Sequence, residues 1–147
     1  MGDQNCTERT CPECGQLMVR DEMRPLTIRY KGLSATFPMP GFYCVNCGEG
    51  VHTGKDMEVS DRNLNLLKAQ AENLLSPTEV RRIRKKLRLN QEAAGQILGG
   101  GPNAFHKYEK GDVLPSQAIS NLLRVLEALP DGLEVLQGRQ TSGSNQA

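Results

Sequence analysis

What the sequence lacks narrows the field first. No run of about eighteen or more apolar residues occurs, which excludes a membrane-spanning helix. The start of the chain has no basic stretch followed by an apolar one, so no secretory signal is expected. The only 2 histidines, His52 and His106, fall in separate predicted domains. No nucleophile, base and acid come together around either, so the chain does not read as an enzyme. Neither sign of charge predominates, with 18 Lys and Arg against 17 Asp and Glu. With no export signal, the expected location is the cytoplasm. Thiols stay reduced there, so the 5 cysteines need an explanation other than disulfides.

The charge is unevenly placed. Residues 1–59 carry 6 cations and 8 anions, whereas residues 60–147 carry 12 and 9. Six of the later cations lie between Arg81 and Arg88. A local basic cluster matters more for nucleic-acid binding than a neutral total, because salt limits the reach of surface charge to about 10 Å.

Four of the cysteines form a repeated pattern, Cys11-Pro-Glu-Cys14-Gly15 and Cys44-Val-Asn-Cys47-Gly48. Each two-residue spacer lets two thiolates converge on one ion, and two such knuckles suit tetrahedral zinc. A glycine after the second cysteine is expected to relieve crowding where the backbone folds back. A redox Cys-x-x-Cys would come once, in a βαβ setting that is absent here. With four thiolates and no open position, one structural Zn2+ per chain is expected, held by Cys11, Cys14, Cys44 and Cys47. Tyr30, Phe37, Phe42 and Tyr43 make a small core for about 40 residues, a size that usually needs a metal or disulfides. His52 reads as an outer neighbour of the second knuckle or a surface residue before it reads as a ligand. Cys6 reads as a free thiol.

Between the knuckles, Leu26, Ile28 and Tyr30, then Leu33, Ala35, Phe37 and Met39, alternate with polar residues. This predicts a half-buried hairpin turning at Lys31-Gly32, with Pro38 and Pro40 at its exit. From Ser60 the pattern turns helical. Asp61 to Leu75 reads as a connecting helix, or else a solvated spacer. Ser76-Pro77-Thr78-Glu79 is a capping box, and the helix after it buries Val80, Ile83 and Leu87. Further helix starts are expected at Asn90, Gly101-Pro102, Ser116 and Asp131. Residues from Gly138 on read as disordered.

Gln91 to Lys110 fits the twenty-residue helix-turn-helix frame without a gap. Counted from Gln91, Gly95 is the fifth residue, where a small side chain lets the helices touch. Gly99 is the ninth, where the turn needs a left-handed backbone. Ala94, Leu98, Phe105 and Tyr108 fall at inward positions, and Pro102 is expected to begin the second helix. The fold class is therefore α+β. A small zinc-bound antiparallel β module covers 11–59 and a connecting helix 60–75. An all-α helix-turn-helix domain, whose Cro/repressor type is what the resemblance below implies, covers 76–137.

From Pro77 to Pro130 the chain resembles the Cro/repressor-type (Xre-like) family. The stretch Gly99-Gly-Gly-Pro-Asn-Ala-Phe-His-Lys-Tyr-Glu-Lys-Gly111, behind the two knuckles, resembles the MqsA (YgiT-type) antitoxin family over about residues 11–136. The resemblance implies a zinc domain that neutralises an MqsR-like mRNA-cleaving toxin. It also implies a C-terminal domain that forms a homodimer and binds a palindrome in double-stranded DNA at its own promoter. Asn103 matches the family's base-reading asparagine. Lys107 stands where the family often has arginine and loses that side chain's bidentate fork. Pro102 and His106 sit at variable groove-facing positions.

The chemistry of these residues agrees with such roles. Asn pairs with adenine and Lys with guanine, and Gln91 at a helix start can meet phosphate. Arg84 and Lys85 are further phosphate candidates, and Lys68 on the connecting helix is a weaker one. Against these stand plainer readings: Asn103 as a helix cap, Lys107 as a solvated charge, and half the basic run as an ordinary polar face. The expected function is a type II antitoxin and autorepressor, cytoplasmic and nucleoid-associated when bound to DNA. The alternative is a zinc-containing Xre-like regulator without a toxin partner.

Overall fold

A computed structural model describes residues 9–144, with side chains described to Gly138. The chain forms two compact units that divide between Asn63 and Leu64.

The first unit is antiparallel β followed by the start of a long helix. Strands β1 (Arg9–Thr10), β2 (Leu17–Asp21), β5 (Gly41–Cys44) and β6 (Gly50–Val51) form one sheet in the order β1-β2-β5-β6. Strands β3 (Pro25–Tyr30) and β4 (Leu33–Pro38) form a separate hairpin. Its turn is Lys31-Gly32, with φ of 46° and 81°. Two successive positive φ values match the right-handed twist of the flanking strands. Leu26 pairs with Phe37, Ile28 with Ala35 and Tyr30 with Leu33. The alternation therefore puts all six on one face, as the sequence predicts. The face is only partly covered: Phe37 is buried, while Leu26 is 38 % exposed.

The larger sheet packs a small core of Cys11, Met18, Phe42 and Cys44, with Val51 against it. The guanidinium groups of Arg9 and Arg20 lie over the Phe42 ring at 4.5 and 5.2 Å. Such contacts contribute about 0.5–1 kcal/mol each at exposed sites.

Helix α1 runs Gly54–Glu72 and so opens seven residues before the expected Asp61. The cause is a reciprocal cap. The Thr53 N–H donates to Asp56 Oδ2 at 2.9 Å, and the Asp56 N–H donates to Thr53 Oγ1 at 3.3 Å. Arg20 reaches the same carboxylate with two bonds, of 2.9 and 2.7 Å. That guanidinium, with the Thr53 N–H, holds the buried Asp56 carboxyl well below the usual carboxylate range, against the effect of burial.

The second unit is helical. Helix α2 (Pro77–Lys86) has the predicted capping box between Ser76 and Glu79. Helix α3 (Gln91–Leu98) is capped by Asn90, whose Oδ1 accepts from the Ala93 N–H at 2.7 Å. Helix α4 is Ala104–Lys110 and α5 is Gln117–Ala128, capped by Ser116. A 3-10 turn at Pro130–Gly132 leads into α6, Leu133–Ser144. The core is a contiguous cluster in which Val80, Ile83, Ala94, Phe105 and Leu123 are fully enclosed. Burying a side chain the size of Val, Ile, Leu or Phe stabilises by about 1.5–3 kcal/mol.

Two expectations are corrected. Pro102 does not begin the second helix of the pair. It lies in a turn, closed by the Ala104 N–H to Gly101 O at 3.3 Å, and α4 starts two residues later. Against the disorder expected from Gly138, α6 continues to Ser144, and residues 145–147 lie outside the described residues.

The contact between α3 and the turn fixes the pair. A Cβ placed on Gly95 would lie 1.8 Å from Gly101 O. Gly101 also donates its N–H to Gly95 O at 3.2 Å. Gly99, Gly100 and Gly101 all have positive φ, of 110°, 99° and 90°. Gly99 has ψ of 162°, an extended mirror conformation open to glycine alone, not the left-handed helical one expected. We predict that Gly95→Ala destabilises the helical unit by about 3 kcal/mol, because backbone must move to admit the methyl. Urea denaturation followed by circular dichroism measures this.

Candidate metal centre and nucleic-acid interface

The two knuckles repeat each other bond for bond. The Cys11 N–H donates to Gln16 O and the Cys44 N–H to Glu49 O, both at 2.8 Å. The Gly15 N–H donates to Cys11 O at 2.9 Å and the Gly48 N–H to Cys44 O at 3.2 Å. Gly15 and Gly48 have φ of 75° and 78°. Glycine is required for that backbone, not to relieve crowding: a Cβ on Gly15 would meet nothing within 4 Å. The first knuckle precedes β2 and the second follows β5, and these strands pair with Met18 opposite Cys44. The strand register thus carries the two sulfur pairs to one place.

All four sulfurs, of Cys11, Cys14, Cys44 and Cys47, lie within 4.8 Å of one another. Cys11 and Cys47 Sγ are 3.6 Å apart, and Cys14 and Cys44 Sγ are 3.4 Å apart. A tetrahedral ion with sulfurs at about 2.3 Å needs about 3.8 Å between them, so the residues fit a metal ion. Backbone N–H groups of Asn46 and Cys47 point at Cys44 Sγ, each at 3.4 Å. The Cys47 N–H, with that of Asn46, pulls the Cys44 thiol down to about 6 against the effect of burial. Despite the Glu49 N–H, the bond to Cys11 and burial push the Cys47 thiol up, so without a metal the charge settles on Cys44. A thiolate is the form a metal needs.

His52 is not part of this cluster. Its Nδ1 lies 2.9 Å from Pro40 O, and its ring meets Tyr43 edge-on at 5.7 Å. Cys6 lies outside the described residues.

In the helical unit the candidate DNA residues separate into two groups. Asn103, His106 and Lys107 are exposed, and Lys110 joins them on the same face at helical spacing. Asn103 occupies the N-cap position of α4 but makes no cap bond with its side chain. Pro102, Asn103 and Lys107 border one concavity with Gly100 and Val113. Gln91, His106, Lys110 and Arg81 border the next. Sequence reasoning singled out Arg84 and Lys85 from the basic run rather than Arg81, and missed Lys110 as a member of this surface. The signal for Lys110 was its spacing of seven from Asn103.

Arg84 does something else. Its Nε and Nη2 donate to Glu109 Oε2 and Oε1, both at 2.8 Å, and its Nη1 donates to Leu89 O at 2.8 Å. Its side chain is 11 % exposed and that of Glu109 is 6 % exposed. The guanidinium is committed to joining α2, the start of α3 and α4, so we withdraw Arg84 as a phosphate contact. Arg82 pairs with Glu127, and Lys86 Nζ donates to Glu127 O at 3.1 Å. Of the exposed cations of the basic run, that leaves Arg81, Lys85 and Arg88 outside these bonds. Lys68 is half-buried on α1.

Comparison with known proteins completes the picture. The profile described as the antitoxin component of a bacterial toxin-antitoxin system, MqsA, matches residues 9–137. The chain belongs to the MqsA antitoxin family. It is 30 % identical to Antitoxin MqsA of Escherichia coli (strain K12) over 129 residues, which cover 86 % of this chain and 98 % of that protein. Membership of the MqsA family implies a toxin partner. No helix among the described residues is long and apolar enough to cross a membrane.

For this MqsA-family chain, metal analysis of purified protein is expected to return one ion per chain. Cys11→Ser or Cys44→Ser should abolish retention and unfold the β unit while α2 to α5 keep their helicity. The size of the loss follows from the metal's share of folding energy in small sites, about 10–16 kcal/mol for zinc in finger peptides. Metal-free protein with an intact β-unit NMR spectrum would contradict this.

Proposed function

We propose that this chain neutralises an mRNA-cleaving toxin of the MqsR type and represses its own operon by binding a palindromic promoter site as a homodimer. It is a non-enzymatic protein that acts in the cytoplasm, and on the nucleoid when DNA-bound. Its metal is a structural zinc: four sulfurs leave no open position, and zinc favours that tetrahedral donor set.

The observation that carries the DNA reading is the exposed row Asn103, His106, Lys107 and Lys110 on α4. Its inward neighbours Phe105 and Tyr108 are buried. A helix set this way presents its polar face to the major groove. Asn103 can pair with adenine and Lys107 can donate to guanine. Gln91, Arg81 and Lys85 are the candidates for phosphates, which add affinity without sequence preference. A second copy is supported by exposed Val125 on α5, Leu129 just past its end and Val135 on α6. For the toxin, the acid excess of residues 1–59 and an anionic tetrathiolate centre complement the cationic surface that an RNA-cleaving protein needs.

One variant tests both halves. Asn103→Ala is expected to weaken binding to the promoter duplex by about 1–3 kcal/mol and to relax preference at one base per half-site. Co-expressed with the toxin encoded beside its gene, the same variant should restore growth as well as the parent does. Unchanged promoter affinity and preference would refute the assignment of α4. Failure of the parent chain to restore growth would refute the toxin assignment.

A further inference from the structure

Helix α4 is short: its 7 residues make fewer than two turns. So short a helix is not stable by its own hydrogen bonds, and its direction is set by what surrounds it. Phe105 and Tyr108 anchor its inner side, stacked edge to face at 5.4 Å. Arg84 grips its flank at Glu109. A third hold lies at its C-terminal end. There Asn65, on α1, donates from Nδ2 to Gly111 O at 2.9 Å and to Asp112 O at 3.3 Å.

Carbonyls at the end of a helix have no partner within it. Gly111, in left-handed conformation with φ of 85°, closes α4 by donating its N–H to Tyr108 O. The Asp112 N–H returns to Lys107 O at 3.1 Å. The segment that Asn65 holds is therefore bonded back to the turn of α4 that carries Lys107, and it directly follows Lys110. One amide NH2 has two donors, which matches two adjacent carbonyls.

We propose that Asn65 is a positioning residue for DNA reading: by fixing where α4 ends, it sets the angle at which Asn103 and Lys107 meet the bases. The inference rests on the DNA-reading proposal above. Base readout needs side chains held to about 0.5 Å, which a frayed two-turn helix does not provide. Asn65 is uncharged, so its loss removes no phosphate attraction. That distinguishes it from every basic residue of the surface.

Asn65→Leu keeps the branched shape with a bulkier end, favours helix more than asparagine does, and deletes the donors. The full-length, metal-loaded chain and this variant are compared in two ways. In the first, a preferred duplex is selected from a random pool with the parent chain, and affinities for it and for random-sequence duplex are measured by anisotropy. Preference for the selected duplex should fall about three- to tenfold, with affinity for random duplex unchanged, as expected when base contacts weaken and phosphate contacts do not. In the second, amide exchange followed by NMR should quicken about fivefold at Gly111 and Asp112, the factor for one ordinary hydrogen bond, and stay unchanged at Val80 and Ile83. Unchanged preference, or an equal loss on both duplexes, would overturn the proposal. If the parent chain selects no duplex at all, the DNA reading itself fails. The positioning role then falls with it, and exchange reports only whether Asn65 anchors the end of α4: unchanged exchange at Gly111 overturns the anchor as well.

Discussion

The helical unit depends on how closely α3 approaches the turn that follows it. Gly95 and Gly101 meet backbone to backbone, with Gly101 bonded to Gly95 O at 3.2 Å. No side chain fits between them. That contact sets the separation of α3 and α4, and with it the depth at which Phe105 and Tyr108 enter the core. Once they are buried, helical periodicity leaves Asn103, His106, Lys107 and Lys110 outside. Arg84 then joins α2, α3 and α4 through a single guanidinium. A buried ion pair of this kind adds little net stability, but removing one partner leaves a charge stranded at a cost of about 3–5 kcal/mol. The exposed face of α4 is thus a consequence of its hidden one.

The β unit solves a different problem. Among the described residues its buried apolar side chains are Cys11, Met18, Phe37, Met39, Phe42, Tyr43 and Cys44, and two of those seven are candidate metal ligands. Apolar burial on this scale does not hold a unit of this size together. Cation–aromatic contacts add to it, among them Arg24 over Tyr43 at 4.5 Å. The convergence of four sulfurs explains how strands of two to five residues keep their register.

Much of this was legible in the residues themselves. Lys31-Gly32 between alternating runs specified the hairpin. Ser76, Asn90 and Ser116 specified helix starts, because each side chain caps a backbone N–H locally. Gly95 and the inward apolar residues followed from the helix-turn-helix frame. What was not legible depended on distant partners. Strands β1, β2, β5 and β6 are too short to show periodicity, and the knuckles bring them together. The start of α1 was hidden because Thr53-x-x-Asp56 places aspartate where a capping box usually has glutamate or glutamine. Arg84 looks like its neighbours in a basic run, and only the position of Glu109, 25 residues on, buries it. The start of α4 was misplaced because proline favours a first helical turn, whereas three consecutive glycines lengthen this linker.

Binding of a symmetric DNA site through α4 is the central claim, and hydroxyl-radical footprinting of the full-length protein on DNA upstream of its own gene tests it most directly. Two equivalent protected stretches should appear, related by two-fold symmetry, with centres about 34–36 Å apart or a multiple of that spacing. A single unsymmetrical footprint, or uniform protection without a preferred site at any protein concentration, would contradict it.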